Sequence, residues 1–355
     1  MGVLLSIGLT SAQETRHYYI AADEVEWDYA PGGNLVDPSF DEAAAVFLEG
    51  GPDRIGSTYV KAVYREYTDD TFSTLKPRAP EWEHLGLLGP VLRAEVGDTI
   101  AVHFKNNTSF PASVHPHGVF YNKDSEGAPY NDGTSGADRA DDAVAPGETH
   151  TYLWQVPERA GPGPMDPSSV MWSYHSHVDE AGDTNAGLIG PMIITAKGKA
   201  RKDGSPKGVD REFVAVYSVF DENRSLYIDN NIETFLGMDP SEAEELKADD
   251  EFNESNLMHG INGYVYGNLP GLTMRKGERV RWYMMGMGTE VDLHTPHWHG
   301  QTLVQNGMRT DVTELLPMSM KVADMVPDNP GTWFFHCHVN DHIDAGMMAM
   351  FTVQS

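Results

Sequence analysis

The sequence predicts an all-β protein built as two β-sandwich domains. Short β-branched and aromatic runs alternate with Gly, Pro, Asn and Asp turns along the chain, the pattern of closely spaced strands. Thr99-Ile100-Ala101-Val102-His103-Phe104 and Glu278-Arg279-Val280-Arg281-Trp282-Tyr283 are two such runs. The chain also repeats itself. Gly89-Pro90-Val91-Leu92 leads through a strand-like run to His115-Pro116-His117-Gly118, and Pro270-Gly271-Leu272 leads to His297-Trp298-His299-Gly300. Pro146-Gly147-Glu148 runs on to His175-Ser176-His177, and Pro330-Gly331-Thr332 runs on to His336-Cys337-His338. At 355 residues the chain is long enough for two domains with real cores.

In chain order, residues 1–12 read MGVLLSIGLTSA. They resemble the tail of a secretory signal without its basic start, or else a loose arm, and the first reading places the protein in a secreted or periplasmic compartment. Residues 13–196 form the first expected domain and 209–355 the second. The lysine-rich stretch 197–208 between them reads as a linker. The first half carries an extra Gly- and Pro-rich stretch at 161–167. Residues 239–254 are acidic and read either as a helical insertion or as a solvated loop.

A formal net charge of −28 argues against nucleic acid and anionic membranes as partners and would gather cations near the surface. Solubility alone is the blander reading of that charge. No apolar run reaches membrane-spanning length.

The densest chemistry lies in His336-Cys337-His338-Val339-Asn340-Asp341-His342-Ile343-Asp344-Ala345-Gly346-Met347. In a strand, Cys337 points to one face and His336 and His338 to the other. Metals on the two faces would be joined by a short covalent path. Cys337 is the only cysteine, so no intrachain disulfide explains it. With His294 added, Cys337, His342 and Met347 supply the two imidazoles, thiolate and weak axial thioether of a blue electron-transfer copper site. Zinc also takes Cys and His, but it has no redox role that a through-peptide link would serve.

Four H-x-H units accompany this set: His115 and His117, His175 and His177, His297 and His299, His336 and His338. At strand spacing both members of each unit share a face. Eight imidazoles from four strands suit a cluster of about three coppers at a domain interface. The first half lacks its own blue site: Ser176 stands at the Cys337 position, Ala112 at the His294 position and Leu188 at the Met347 position. Ten of the 17 methionines fall between Met284 and Met350, which suits either a cuprous-ion relay or adaptable core packing.

Through these motifs the chain resembles a two-domain multicopper oxidase of the laccase and ceruloplasmin superfamily. Arg139-Ala140-Asp141-Asp142, Glu254-Ser255-Asn256 and Gly286-Met287-Gly288 point to the ceruloplasmin-like branch. The resemblance implies two cupredoxin-like Greek-key sandwiches and four coppers per active unit. His294, Cys337, His342 and Met347 would bind type 1 copper, and His115 and His297 type 2 copper. His117, His175, His177, His299, His336 and His338 would hold the type 3 pair. Electrons from a donor would enter at type 1 and pass through Cys337 and His336 or His338 to the trinuclear cluster, where dioxygen becomes water. Asp179 and Asp142, with Asp141, are candidate proton relays, or else structural carboxylates.

The same branch implies an Fe(II) site at Glu254, His259 and Asp341, with Glu290 reaching a neighbouring module. The donor is then Fe(II), or a phenol if those carboxylates are only scaffold. The family further implies a homotrimer with clusters at subunit interfaces, and the sequence alone leaves a cluster within a single monomeric chain equally open. A copper nitrite reductase, which keeps its blue copper in the first domain, is the enzymatic rival. A non-catalytic copper carrier is the rival from another class.

Overall fold

The computed structural model describes residues 13–289 and 292–355. The signal-like residues 1–12 and the iron-site candidate Glu290 lie outside the described residues. The chain is mostly strand, arranged as two pairs of sheets. In the first half, β1 (Thr15–Asp28), β2 (Thr58–Tyr67), β4 (Thr99–Asn106) and β6 (Thr149–Gln155) form one sheet in the order β2-β1-β4-β6. β3 (Leu92–Glu95), β5 (His115–Pro116), β7 (Ser169–His175) and β8 (Ile189–Thr195) form the other, ordered β3-β8-β7-β5.

The second half repeats both sheets. β9 (Arg211–Asp221), β10 (Leu257–Ile261), β12 (Val280–Gly286) and β16 (Met320–Met325), extended by β14 (Leu303–Gln305) and β15 (Met308–Thr310), run β10-β9-β12-β16-β14-β15. β11 (Thr273–Arg275), β13 (Pro296–Trp298), β17 (Gly331–Cys337) and β18 (Met348–Gln354) run β11-β18-β17-β13. The pairing senses also repeat. β1 and β4 are parallel, as are β9 and β12, and β3 and β8 are parallel, as are β11 and β18.

Side-chain alternation explains where the cores sit. On β4, Ile100, Val102 and Phe104 share the face turned into the first sandwich. β12 is buried along its whole length because it serves two cores. Trp282 and Met284 fill the second sandwich, while Tyr283 and Met285 pack against Met171, Ile189 and Ile193 of the first half. The two halves are therefore joined by an apolar layer. Polar ties reinforce it: Arg93 to Glu212 at 2.8 Å, Tyr283 Oη to Glu212 at 2.8 Å and Arg281 to Ser169 at 2.7 Å.

Residues 197–208 are folded as a tight loop, with Ala200 bridged to Pro206 and Thr195 Oγ1 donating to the Gly204 carbonyl. The acidic stretch 239–254 is largely helical, and Phe252 anchors it in a third core with Tyr29, Tyr59 and Tyr266. Met284, Met285, Met287, Met325, Met347 and Met348 are all buried, so packing accounts for much of the methionine cluster.

Candidate metal centres

Strand register brings the paired histidines together. His115 lies opposite His175 across β5 and β7, and His297 lies opposite His336 across β13 and β17. Ligand nitrogens of His115, His117 and His175 lie within 4.8 Å of one another, as do those of His297, His299 and His336. His177 joins the first group with its ring 5.1 Å from His115, and His338 joins the second at 5.3 Å from His297. Each half of the chain thus presents a histidine quartet. Among the described residues, ring contacts run within each quartet and none joins one quartet to the other.

The protonation state of these rings follows from their partners. Nδ1 of His115 faces the Glu126 carbonyl at 2.6 Å, Nδ1 of His175 the Ser176 carbonyl at 2.9 Å, and Nδ1 of His336 the Cys337 carbonyl at 2.7 Å. A carbonyl only accepts, so each Nδ1 carries the hydrogen and each Nε2 offers its lone pair inward. Such outer bonds fix ring orientation at metal sites. Burial pushes His175 down to about 3 and His117 and His336 down to about 4, so all three rings are neutral at pH 7. Nδ1 of His297 is buried without a partner, a donor atom in want of an acceptor or a metal.

On the opposite face of β17, His294, Cys337 and His342 are all buried, with their ligand atoms within 4.8 Å of one another. Cys337 Sγ is 3.6 Å from His342 Nδ1 and receives the Thr295 N–H at 3.4 Å. His294 Nε2 faces the Met287 carbonyl at 3.2 Å, leaving its buried Nδ1 unpartnered. Met347 is buried in the same core, its carbonyl bonded to the Cys337 N–H at 3.0 Å. Burial pushes the Cys337 thiol up, so without a cation it stays protonated. A thiolate, two imidazole Nδ1 atoms and a nearby thioether are a soft donor set that fits copper, and the orphaned His294 Nδ1 fits a missing ligand bond.

Comparison with known proteins decides the family. Two family models, each described as multicopper oxidase, match residues 85–199 and 237–355. The chain belongs to the multicopper oxidase family. It is 47% identical to Ferroxidase HEPHL1 of Homo sapiens over 96% of this chain and 29% of that protein. It is 44% identical to Ceruloplasmin of Homo sapiens over 100% of this chain and 33% of that protein. The chain therefore spans about a third of the length of the curated relatives it matches. A solved structure described as a multicopper oxidase superimposes with a TM-score of 0.59 at 20% identity, covering 96% of this chain and 89% of that one, which supports the fold.

In this family member the first half retains the backbone frame that surrounds Cys337 in the second half and fills it differently. Ser176 N–H bonds the Leu188 carbonyl and Leu188 N–H bonds the Asp183 carbonyl, as Cys337 does with Met347 and Met347 with His342. Asp183 thus occupies the His342 position, a correspondence the sequence reading missed. Its buried carboxylate accepts from Ser176 Oγ at 2.6 Å and from the Val178 and Asp179 N–H groups at 3.1 Å. Burial pushes that carboxyl up to about 6.

A cavity of about 730 Å³ opens over His342. Glu254, His259 and Asp341 all line it, and the His259 ring is 5.4 Å from His342. Glu180, Asp221 and Asp292 also line it, from elements distant in sequence, and Arg224 is the one cation on its wall among the described residues. The two suggested relays have structural partners: Asp179 caps the helix Glu180–Ala186 through the Gly182 N–H, and Asp142 pairs with Arg139 at 3.0 Å. Asp141 accepts the Gly127 N–H at 2.7 Å, beneath the His115 strand.

Proposed function

We propose that this chain is a copper-dependent ferroxidase that takes electrons from Fe(II) and uses dioxygen as acceptor. The observation that carries the donor is the acidic cavity: five carboxylates against one cation, beside a ring whose Nδ1 is 3.6 Å from the lone thiolate. Hard carboxylates with an imidazole suit Fe(II), and a focused negative potential raises its local concentration. The relative named Ferroxidase HEPHL1 supports the same reading.

In this assignment His294, Cys337, His342 and Met347 hold type 1 copper, His115 and His297 type 2, and the six remaining paired histidines type 3. Copper bound there supplies one-electron acceptance at the first site and four-electron reduction of dioxygen to water at the cluster. The protein's part is to bind and orient. Glu254, His259 and Asp341 hold the donor ion. Cys337 links the entry site to His336 and His338 through adjacent peptide units. The Nδ1–carbonyl bonds keep the quartet rings aimed. Asp142 and Asp141 are the carboxylates we place nearest to proton delivery, with Asp179 as the cap of the loop after His177.

We further propose that a complete cluster forms where the first-half quartet of one chain meets the second-half quartet of the next, in a homotrimer. Separation of the quartets, exposure of His338, and exposed Phe120 and Val312 beside them support this. The N-terminal leader-like stretch supports a secreted or periplasmic setting. The serine in place of a thiolate at Ser176, together with the two quartets, argues against the nitrite reductase and carrier alternatives.

Steady-state oxidation of Fe(II) and of a substituted phenol by Glu254→Ala and Asp341→Ala tests the donor. The reading expects kcat/KM for Fe(II) to fall tenfold or more, with the phenol rate kept. Unchanged Fe(II) kinetics would remove its basis.

A further inference from the structure

We infer a second ligand site, for a small aromatic carboxylate or phosphate, in a cavity of about 470 Å³ remote from all three metal-ligand groups. In a chain of net charge −28 its wall carries Arg65, Lys76, Arg78 and Arg93 against the single carboxylate of Glu66. Three of these cations are already paired: Lys76 with Glu66 at 2.8 Å, Arg93 with Glu212 at 2.8 Å and Arg65 with Asp23 at 3.7 Å. Arg78 has no carboxylate partner among the described residues. Its guanidinium donates to the Gly86 and Leu88 carbonyls, each at 2.7 Å, which fixes the fork and leaves its charge uncompensated. Desolvation and the neighbouring Arg65 both hold its pKa below the usual value, and the opposite charge of a bound anion would offset both.

The rest of the wall suits a flat apolar body. Trp82, Leu85, Pro77 and Val91 line the cavity, and the Arg93 guanidinium sits 5.1 Å from the centre of the Trp82 ring. Arg93 is held by Glu212 and covers one face of Trp82, so the acid would go to the remaining N–H groups of Arg78, with its ring against the apolar wall of Pro77, Leu85 and Val91. Such convergence of a few polar groups on an apolar pocket is the usual form of a small-molecule site.

The position suggests a consequence. The segment that carries Trp82 and the two carbonyls is wired to the second half. His84 accepts the Val214 N–H at 3.1 Å, and Asn262 Oδ1 and Nδ2 bond Val216 and the His84 carbonyl. An occupant would therefore brace the packing between halves, and binding to the folded state alone raises Tm.

Isothermal calorimetry on the full copper-loaded chain, at low salt, tests this with benzoate, phenyl phosphate, inorganic phosphate and benzyl alcohol. Benzoate or phenyl phosphate should bind one per chain and raise Tm, and whichever acid is tighter identifies the head group. Inorganic phosphate should bind about tenfold more weakly or worse, and benzyl alcohol not at all. Arg78→Gln should weaken binding about tenfold or more, the loss of a charge-assisted hydrogen bond. Should Arg78→Gln misfold, Lys76→Glu decides: it leaves the Arg78 anchors intact and should weaken binding at least about threefold through charge. No saturable binding by either aromatic acid, binding of benzyl alcohol as tight as that of benzoate, or wild-type affinity in Lys76→Glu would overturn the site. The readout needs no oxidase activity, so it stands apart from the ferroxidase assignment.

Discussion

Replacing Glu222 by glutamine should destabilise the protein by about 3–5 kcal/mol, the cost of stranding a buried charge. Lys61 on β2 and Glu222 after β9 are both fully buried, and they form an ion pair between the two halves. Glu222 Oε1 also receives Tyr29 Oη at 2.5 Å, and Lys61 Nζ donates to the Asn185 carbonyl at 2.7 Å. Burial opposes both charges, lowering the Lys61 pKa and raising that of Glu222, so each charge depends on the other. In Glu222→Gln the ammonium keeps only neutral acceptors. Against a total of about 5–15 kcal/mol for a typical folded domain, that loss is large. Replacing both members by methionine removes both charges and should recover most of the stability, because an apolar pair of similar volume is often neutral or better. The cycle of Lys61→Met, Glu222→Met and the double variant should therefore show a coupling of about 3 kcal/mol, read from urea unfolding midpoints. A functional effect follows, because Asn185 and Asp221 line the acidic cavity and are bonded to each other at 3.0 Å. Glu222→Gln should raise KM for Fe(II) more than it lowers kcat. Single variants that cost less than about 1 kcal/mol, or additive behaviour in the cycle, would refute the reasoning.

Two further outcomes are expected. His84 is buried and accepts the Val214 N–H, and burial pushes it down to about 3. Its contribution is full above the unfolded pKa of about 6.5 and is lost as pH falls toward 3, so His84→Gln should flatten the acid limb of the stability curve by about one proton and about 5 kcal/mol, measured by unfolding across pH. Asp183→Ala removes the acceptor of three hydrogen bonds that hold the loop around His177. It should cost about 2–4 kcal/mol and reduce copper retained after dialysis, whereas Asp183→Asn, which keeps one acceptor oxygen, should lose less.

The metal-ligand pattern was legible because a strand has a period of two: H-x-H puts both rings on one face, and H-C-H divides donors between faces. Register then placed His115 opposite His175 and His297 opposite His336, as the repeat implied. Asp183 was hidden because the first half inserts two extra residues between Ser176 and Leu188 relative to Cys337 and Met347, which breaks the alignment of the loop. Continuous burial on β12 had no readable alternation, since its two faces serve different cores. That no ring contact joins the two quartets among the described residues was equally invisible, because spacing fixes which side chains share a strand face and not which sheet ends meet. The extra carboxylates of the cavity, Glu180 at a helix start, Asp221 at the end of β9 and Asp292 in a loop, are distant in sequence and carried no local signal. Asp179 and Asp142, read in sequence as relays or structural carboxylates, serve in the fold as a helix cap and an ion-pair partner.

Sedimentation equilibrium combined with copper analysis of the same reconstituted sample tests the central claim most directly. Quartets completed between chains predict a blue trimer with four coppers per chain, and oxygen uptake that disappears when the trimer is dissociated. A fully active monomer, or a colourless protein holding one ion per chain, would contradict it.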